Sequence, residues 1–284
     1  MTYSELKLIW RSKLELIYDQ DECDNLFYLA CYHIKQWGRS RVLFEKDNEL
    51  NMEEENAFNG ILKPLLTNKP IQYIFGETEF YQLKFKVDED VLIPRPETEE
   101  LVDWIVKDHM GKRNLKFLDI GTGSGCIAIS LAKNMIQAGA FALDISNQAL
   151  TVAEINAREL NVDLQLLKAD ILEMTDAVVD EFFNIIVSNP PYILKAEEVQ
   201  MKQNVIGFEP HIALFVTNND PLQFYKAIAD FALLNLQKDG SLYFETHEDY
   251  NDKVKLMLQE KGFINVVSKR DLQNKYRFIK ANLL

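Results

Sequence analysis

The feature that most restricts how this chain can fold is a change of pattern at Lys116. Beyond it, short and almost wholly apolar runs alternate with stretches of helical periodicity. The runs are Phe117-Leu118-Asp119-Ile120, Phe141-Ala142-Leu143-Asp144 and residues 164–168, 182–188, 241–245, 263–268 and 276–280. A strand with one face in water alternates apolar and polar residues. Strands apolar throughout are covered on both faces, which calls for a parallel sheet with helices above and below it. The last two runs have no helical stretch between them, so a hairpin and an antiparallel strand at the end of the chain are expected.

The first seventy residues read differently. Thr2 and Glu5 have capping-box spacing, and Leu6, Ile9, Trp10, Leu14 and Ile17 recur at helical intervals. A second helix is expected from about 24 to 37 with Gly38 as its stop, and a third from Asn51 to near Pro64. The aromatic residues Trp10, Phe27, Tyr28 and Trp37 are read as core. Residues 71–75 and 80–87 are two β-rich runs around Gly76-Glu77-Thr78-Glu79, which reads as a hairpin. In Val91-Leu92-Ile93-Pro94-Arg95-Pro96-Glu97-Thr98-Glu99 the two prolines interrupt regular structure, and residues 97–100 open a helix through about His109. The domain boundary is expected in this stretch. The organisation is therefore a helical N-terminal unit (1–70), expected to dock the substrate, with a lid or mere ballast as the alternatives, then a hairpin and linker (71–96) and an α/β core (97–284).

Several classes of function are disfavoured. The formal net charge is −13, and affinity for a nucleic-acid backbone comes mainly from Lys and Arg neutralising phosphates, so no direct nucleic-acid substrate is expected. No apolar stretch approaches the roughly 18 residues that span a bilayer, and the N-terminus lacks the basic and apolar regions of a signal peptide. Cys23, Cys31 and Cys126 show no disulfide or C-x-x-C spacing, and the four histidines match no ligand pattern. The expectation is a cytoplasmic protein with no membrane partner, no metal and buried thiols.

Two segments carry chemistry. Asp119-Ile120-Gly121-Thr122-Gly123-Ser124-Gly125 follows the first core strand and precedes a helical run at 126–133, a context in which glycines let a ligand approach the backbone at a helix N-terminus. The third glycine comes one place too early for G-x-G-x-x-G. A carboxylate at Asp119 would repel a pyrophosphate but attract an ammonium or lie near a sulfonium. S-adenosylmethionine carries both cations and no phosphate. Asp144, ending the second strand, is placed to accept from ribose hydroxyls, and Asp170, ending the third, from the adenine amino group, with Ile171 packing on the base. The bland alternative makes these carboxylates caps and the loop a tight turn.

The second segment is Asn189-Pro190-Pro191-Tyr192, after the strand Phe183-Asn184-Ile185-Ile186-Val187-Ser188. Neither proline has an N–H, and each stiffens the residue before it, so the loop offers carbonyl acceptors without competing donors. The Asn189 side-chain oxygen and the Pro190 carbonyl can each take one hydrogen of a planar amino or amide group, with Tyr192 as a face to stack on. Two such acceptors align the nitrogen lone pair and favour the charge that develops as it attacks a methyl group. Asn189, Pro190 and Tyr192 are thus the candidate catalytic residues, and Pro191 joins them in binding the acceptor. A simple strand-ending turn is the alternative.

With these motifs in hand the sequence resembles the peptide chain release factor glutamine methyltransferases. The resemblance runs through Pro70-Ile71-Gln72-Tyr73-Ile74 with Gly76 and Phe80, the segment 91–99, the loop 119–125, the tetrapeptide 189–192, and Glu209-Pro210 followed by Ala213-Leu214. It implies a Rossmann-like, seven-stranded class I methyltransferase core and methylation of the glutamine amide in the Gly-Gly-Gln tripeptide of release factors, the implied partners, with consequences for translation termination. It also implies cofactor contacts from residues 121–125, Asp144, Ile171 and Asn189. The chain departs from the family in Thr217-Asn218-Asn219-Asp220-Pro221-Leu222, where G-G-x-D-G-L is usual, and in Glu245-Thr246-His247, where E-I-G is usual. An amino methyltransferase acting on adenine or guanine is the nearest rival, since a base amino group poses the same problem to the tetrapeptide. A non-catalytic nucleotide-binding protein is the rival outside enzymes.

Overall fold

The computed structural model describes residues 1–174, 181–217 and 220–284. They form two compact units. One comprises Met1–Gly76 with Lys202–Phe208, the other Glu77–Met201 with Glu209–Leu284.

The first unit is helical because its helices are capped by their own sequence. Helix α1 (Tyr3–Leu14) starts at the expected box: Glu5 N–H donates to Thr2 Oγ1 and Thr2 N–H to Glu5 Oε2. Helix α2 (Gln20–Lys35) starts at Asp19, earlier than expected, and stops where Gln36 turns left-handed. A short α3 (Arg39–Phe44), without a side-chain cap, was not foreseen. Asn51 and Glu54 form a second capping box at α4 (Met52–Leu65). Trp10, Phe27 and Phe58 interlock in the core, with ring centroids 5.6–6.0 Å apart, and Cys23 and Cys31 are buried there.

Residues Ile71–Phe75, expected as a strand, form the short helix α5. Pro70, at φ −55°, leads into a helical turn, and Ile71 joins the buried cluster of the first unit with Ile74 and Phe75 against it. Packing outweighs β-propensity in so short a run. The hairpin lies later, as β1 (Glu77–Phe80) and β2 (Leu83–Lys86), antiparallel around Tyr81-Gln82. Both turn residues have positive φ, the geometry of a tight primed turn, but neither is a residue type that announces one. The hairpin groups with the second unit, so the division falls after Gly76 and not in 91–99.

The second unit continues with α6 (Pro96–Asp108), β3 (Lys116–Ile120), α7 (Cys126–Asn134), β4 (Gly139–Asp144), α8 (Asn147–Glu159), β5 (Leu164–Lys168), β6 (Phe183–Ser188) and β7 (Ile193–Leu194). After the short helix α9 (Gln203–Ile206), whose residues group with the first unit, come α10 (His211–Leu214), β8 (Phe215–Val216), α11 (Gln223–Asn235), β9 (Leu236–Glu245), α12 (Asn251–Glu260), β10 (Ile264–Arg270) and β11 (Tyr276–Asn282). Among the described residues β7 and β8 pair with each other alone.

The seven-stranded sheet has the order β10-β11-β9-β6-β3-β4-β5. Its first five strands in sequence are parallel, and β11 runs antiparallel to both β9 and β10, the terminal hairpin and antiparallel strand that were expected. Side chains alternate between the faces: Leu118, Ile120 and Ile186 pack under α11 and α12, while Phe117, Ile185 and Val187 pack under α6 and α7. The chain builds outward from β3 through β4 to β5, then returns to place β6 on the other side of β3. At such a reversal the loops at the strand ends diverge and leave a crevice.

Candidate active site

A cavity of about 270 Å³ opens at that reversal, beyond the carboxyl ends of β3, β4, β5 and β6. Its wall includes Gly121 and Gly123 after β3, Asp144 ending β4, Asp170 and Ile171 after β5, and Asn189, Pro190 and Pro191 after β6. Four loops separate in sequence therefore meet at one place. Val91, Leu92 and Pro210 also contribute, from segments to which sequence reasoning gave no role.

The glycine loop divides its labour. Gly121 and Gly123 have φ of +74° and +53°, and open space where a side chain would begin, so their backbone faces the cavity without steric cover. Gly125 answers a packing need. A Cβ there would lie 3.1 Å from Ile129 Cδ1 and 3.2 Å from Ala153 Cβ, in the contact of α7 with α8. Asn156, buried on α8, holds the loop from behind. Its amide nitrogen donates to Ser124 O and Lys86 O while its oxygen accepts from Lys86 N–H, which ties the loop to the hairpin. No sequence signal singles it out.

Asp144 is 9% exposed. One carboxylate oxygen accepts from Gly123 N–H and the other from Ser146 N–H, both at 2.9 Å, and the carboxylate reaches the cavity. Burial raises its pKa against the pull of those amides. Asp170 Oδ1 accepts from Leu172 N–H. Asp119 is placed differently from the expectation of a carboxylate facing an ammonium. It is fully buried, does not line the cavity, and accepts at Oδ2 from Thr122 Oγ1 (2.6 Å) and Ala128 N–H (3.3 Å). Desolvation pushes its pKa up to about 7. Thr122, Ser124 and Gly125 likewise lie outside the wall.

Of the tetrapeptide, Asn189 is half-buried and its amide nitrogen donates to Thr98 Oγ1 at 3.2 Å. Tyr192 is turned toward the protein and is not part of the wall. Its hydroxyl donates to Glu245 Oε1 (3.4 Å) and its ring lies 5.8 Å from that of His247. Thr98 Oγ1 donates to Glu245 Oε2 at 2.7 Å. Two segments without chemistry of their own in the sequence thus touch the site: Thr98 through Asn189, and Arg95 through Glu209, next to Pro210. In the atypical segment 217–222, Asn218 and Asn219 lie outside the described residues. Thr246 of the other atypical segment is fully buried, donating to Arg277 O.

The donor set fits an adenosyl ligand without phosphates. Two carboxylates, Asp144 at the end of β4 and Asp170 just after β5, stand beyond neighbouring strands, and Ile171, Leu172 and Ile228 add apolar wall. The strand order, the glycine loop and the Asn-Pro-Pro-Tyr segment at one crevice define a class I methyltransferase. The methyltransferase small-domain family matches residues 98–208 and the PrmC N-terminal domain family residues 10–76. Release factor glutamine methyltransferases from Flavobacterium psychrophilum (43% identity, 95% of each chain) and Lactococcus lactis (45%, 97% of this chain and 92% of that one) are similar along nearly their whole length, and a solved methyltransferase from Pyrococcus furiosus shares the fold (17% identity, TM-score 0.53, 78% of this chain and 96% of that one). The chain belongs to the release factor glutamine methyltransferase family, which implies S-adenosylmethionine as the methyl donor. Among the described residues no helix is long and apolar enough to cross a membrane.

Proposed function

We propose that this protein methylates the side-chain amide nitrogen of the glutamine in the Gly-Gly-Gln tripeptide of peptide chain release factors. The observation that carries this reading is the shared wall: Asn189, Pro190 and Pro191 border the same cavity as Gly121, Gly123 and Asp144. S-adenosylmethionine would supply an electrophilic methyl group on a sulfonium. Asp144 is assigned to the ribose hydroxyls, Asp170 to the adenine amino group, and Ile171 to the base. Asp119, Thr122, Ser124 and Gly125 are assigned to holding the shape of the loop.

On the acceptor side, Asn189 Oδ1 and the Pro190 carbonyl take the two amide hydrogens of the glutamine. They thereby aim its lone pair into the cavity and stabilise the positive charge that grows on nitrogen. The nitrogen then loses a proton to the same acceptors or to water. Pro191 keeps the loop free of competing donors, and Tyr192, turned toward the protein, ends the tetrapeptide instead of stacking on the glutamine. We assign release-factor docking to the helical unit, where Leu43, Phe44 and Met52 are strongly exposed.

Transfer of labelled methyl from S-adenosylmethionine into purified release factor, with peptide mapping, tests the reading. Label on the tripeptide glutamine is expected. A preference for adenine-containing DNA would overturn it.

A further inference from the structure

Glu245 is a buried carboxyl that the steps above do not use. It ends β9, beside the end of β6, with Ser188 and Phe244 in register across the two strands, and only 2% of it is exposed. Its two oxygens meet two different elements: Thr98, in the first turn of α6, donates to Oε2, and Tyr192, at the far end of the tetrapeptide, donates to Oε1. Thr98 in turn meets Asn189, at the near end. One carboxyl therefore reaches both ends of Asn189-Pro190-Pro191-Tyr192.

The hydrogen count gives this arrangement a direction. An ionised carboxylate only accepts, so Thr98 spends its single hydroxyl hydrogen on Glu245 and can only accept from Asn189. The group that Asn189 turns to Thr98 must then be its NH₂, which leaves Oδ1 on the other side. A protonated Glu245 could donate to Thr98 instead. The Thr98 hydroxyl would be freed to donate to Asn189, and the amide could turn its oxygen inward.

We propose that Glu245 is a positioning residue of the acceptor site, fixing through Thr98 which face of the Asn189 amide meets the substrate and anchoring Tyr192 at the other end. This rests on the reading of the tetrapeptide as the glutamine site. Burial pushes the Glu245 carboxyl up to about 7, and Glu97 on α6 adds to the shift, while Thr98, Arg277 on β11 and Tyr192 oppose it. Tyr225 on α11 donates to the Glu245 backbone carbonyl, Asp271 pairs with Arg277, and Cys126 on α7 lies within electrostatic reach. The orientation of Asn189 is accordingly sensitive to pH near neutrality.

The test compares wild type with Glu245→Gln, Thr98→Val and Thr98→Ser in single-turnover methylation of a release factor from pH 6 to 8.5, with cofactor binding by calorimetry. Glutamine cannot accept from both Thr98 and Tyr192, so Glu245→Gln is expected to lower kcat about 10–100-fold, as small misplacements at a reacting centre do. KM and cofactor affinity should stay near wild type, and the rise of kcat through pH 7 should disappear. Thr98→Val should match it and Thr98→Ser should recover most of the loss. Wild-type kcat in Glu245→Gln, an equal loss in Thr98→Ser, or a parallel loss of cofactor affinity would overturn the proposal. A separate readout needs no substrate. The Asn189 side-chain amide resonances, assigned with Asn189→Asp, should shift between pH 6 and 8 in wild type and not in Glu245→Gln. Absence of that shift overturns the proposal, whereas wild type that fails to methylate release factor while showing it overturns only the assignment of substrate.

Discussion

Arg95 Nη2 donates to both carboxylate oxygens of Glu209 at 2.7 Å across 114 residues of sequence. Glu209 is 3% exposed, and burial raises its pKa even with the guanidinium beside it. The pair joins the start of α6 to the turn carrying Pro210, at the cavity wall.

Removing the cation should therefore cost stability. Arg95→Ala leaves a buried carboxylate without its partner, and because water reaches part of Arg95 the loss is expected at the low end of the range for breaking a buried pair, about 3 kcal/mol. Glu209 is raised when folded, so the folded state holds its proton at a higher pH than the unfolded state does, and stability falls as pH rises through its folded pKa. Without Arg95 the rise is larger. The deficit against wild type should shrink as the pH is lowered toward 5. Chemical denaturation at pH 7.5 and 5 reads it, and a constant deficit would mean that the pair is not electrostatic in effect.

Asp144→Ala should weaken S-adenosylmethionine binding by roughly 1.5–3 kcal/mol, the loss of charge-assisted hydrogen bonds. The Gly123 and Ser146 amides also lose their acceptor, which adds to the effect by loosening the loop. Calorimetry decides, and unchanged affinity removes Asp144 from the site.

For Asn189→Ala the expectation is a fall in turnover of about 10²–10³, as for other preorganised contacts to a developing charge, with cofactor affinity little changed. Asn189→Asp keeps an acceptor and should retain part of the rate, since its charge costs desolvation. Normal methylation by the alanine variant would sink the assignment of Asn189 to the glutamine amide.

Asp119 gives a pH signature of its own. Its folded pKa of about 7 lies above the ordinary 3.8, so the folded state keeps a proton that the unfolded state releases. Stability should fall as pH rises from about 4 to about 7 and then level off. Asp119→Asn preserves an acceptor for Thr122 and Ala128 and should abolish that slope, with cofactor affinity intact if Asp119 only shapes the loop. Thermal melts at pH 5 and 8, paired with calorimetry, check both halves. A large loss of cofactor affinity would restore Asp119 to direct contact.

The sequence by itself determined the centre of the sheet, because strands buried on both faces, such as β3, β4 and β6, must be apolar throughout and their runs can be counted, whereas the edge strands β5 and β10 are only partly covered. It determined α1 through a capping box formed within four residues, and α4 through Asn51 at its start. It also determined the two loops that border the cavity, since glycines before a helix and Asn-Pro-Pro after a strand restrict the backbone locally. Tertiary structure decided the rest. Ile71–Phe75 became a helix through its packing in the first unit, and the hairpin turned at Tyr81-Gln82 without a turn residue to mark it. Asp119 looked like a ligand-facing carboxylate, yet side-chain direction at a strand end depends on which face the neighbouring helix covers, and here it is buried against α7. The links Arg95–Glu209, Thr98–Glu245 and Asn156–Lys86 join positions 70 to 147 residues apart. Such partners leave no periodicity or spacing in a single sequence, because only the fold brings them within hydrogen-bond reach.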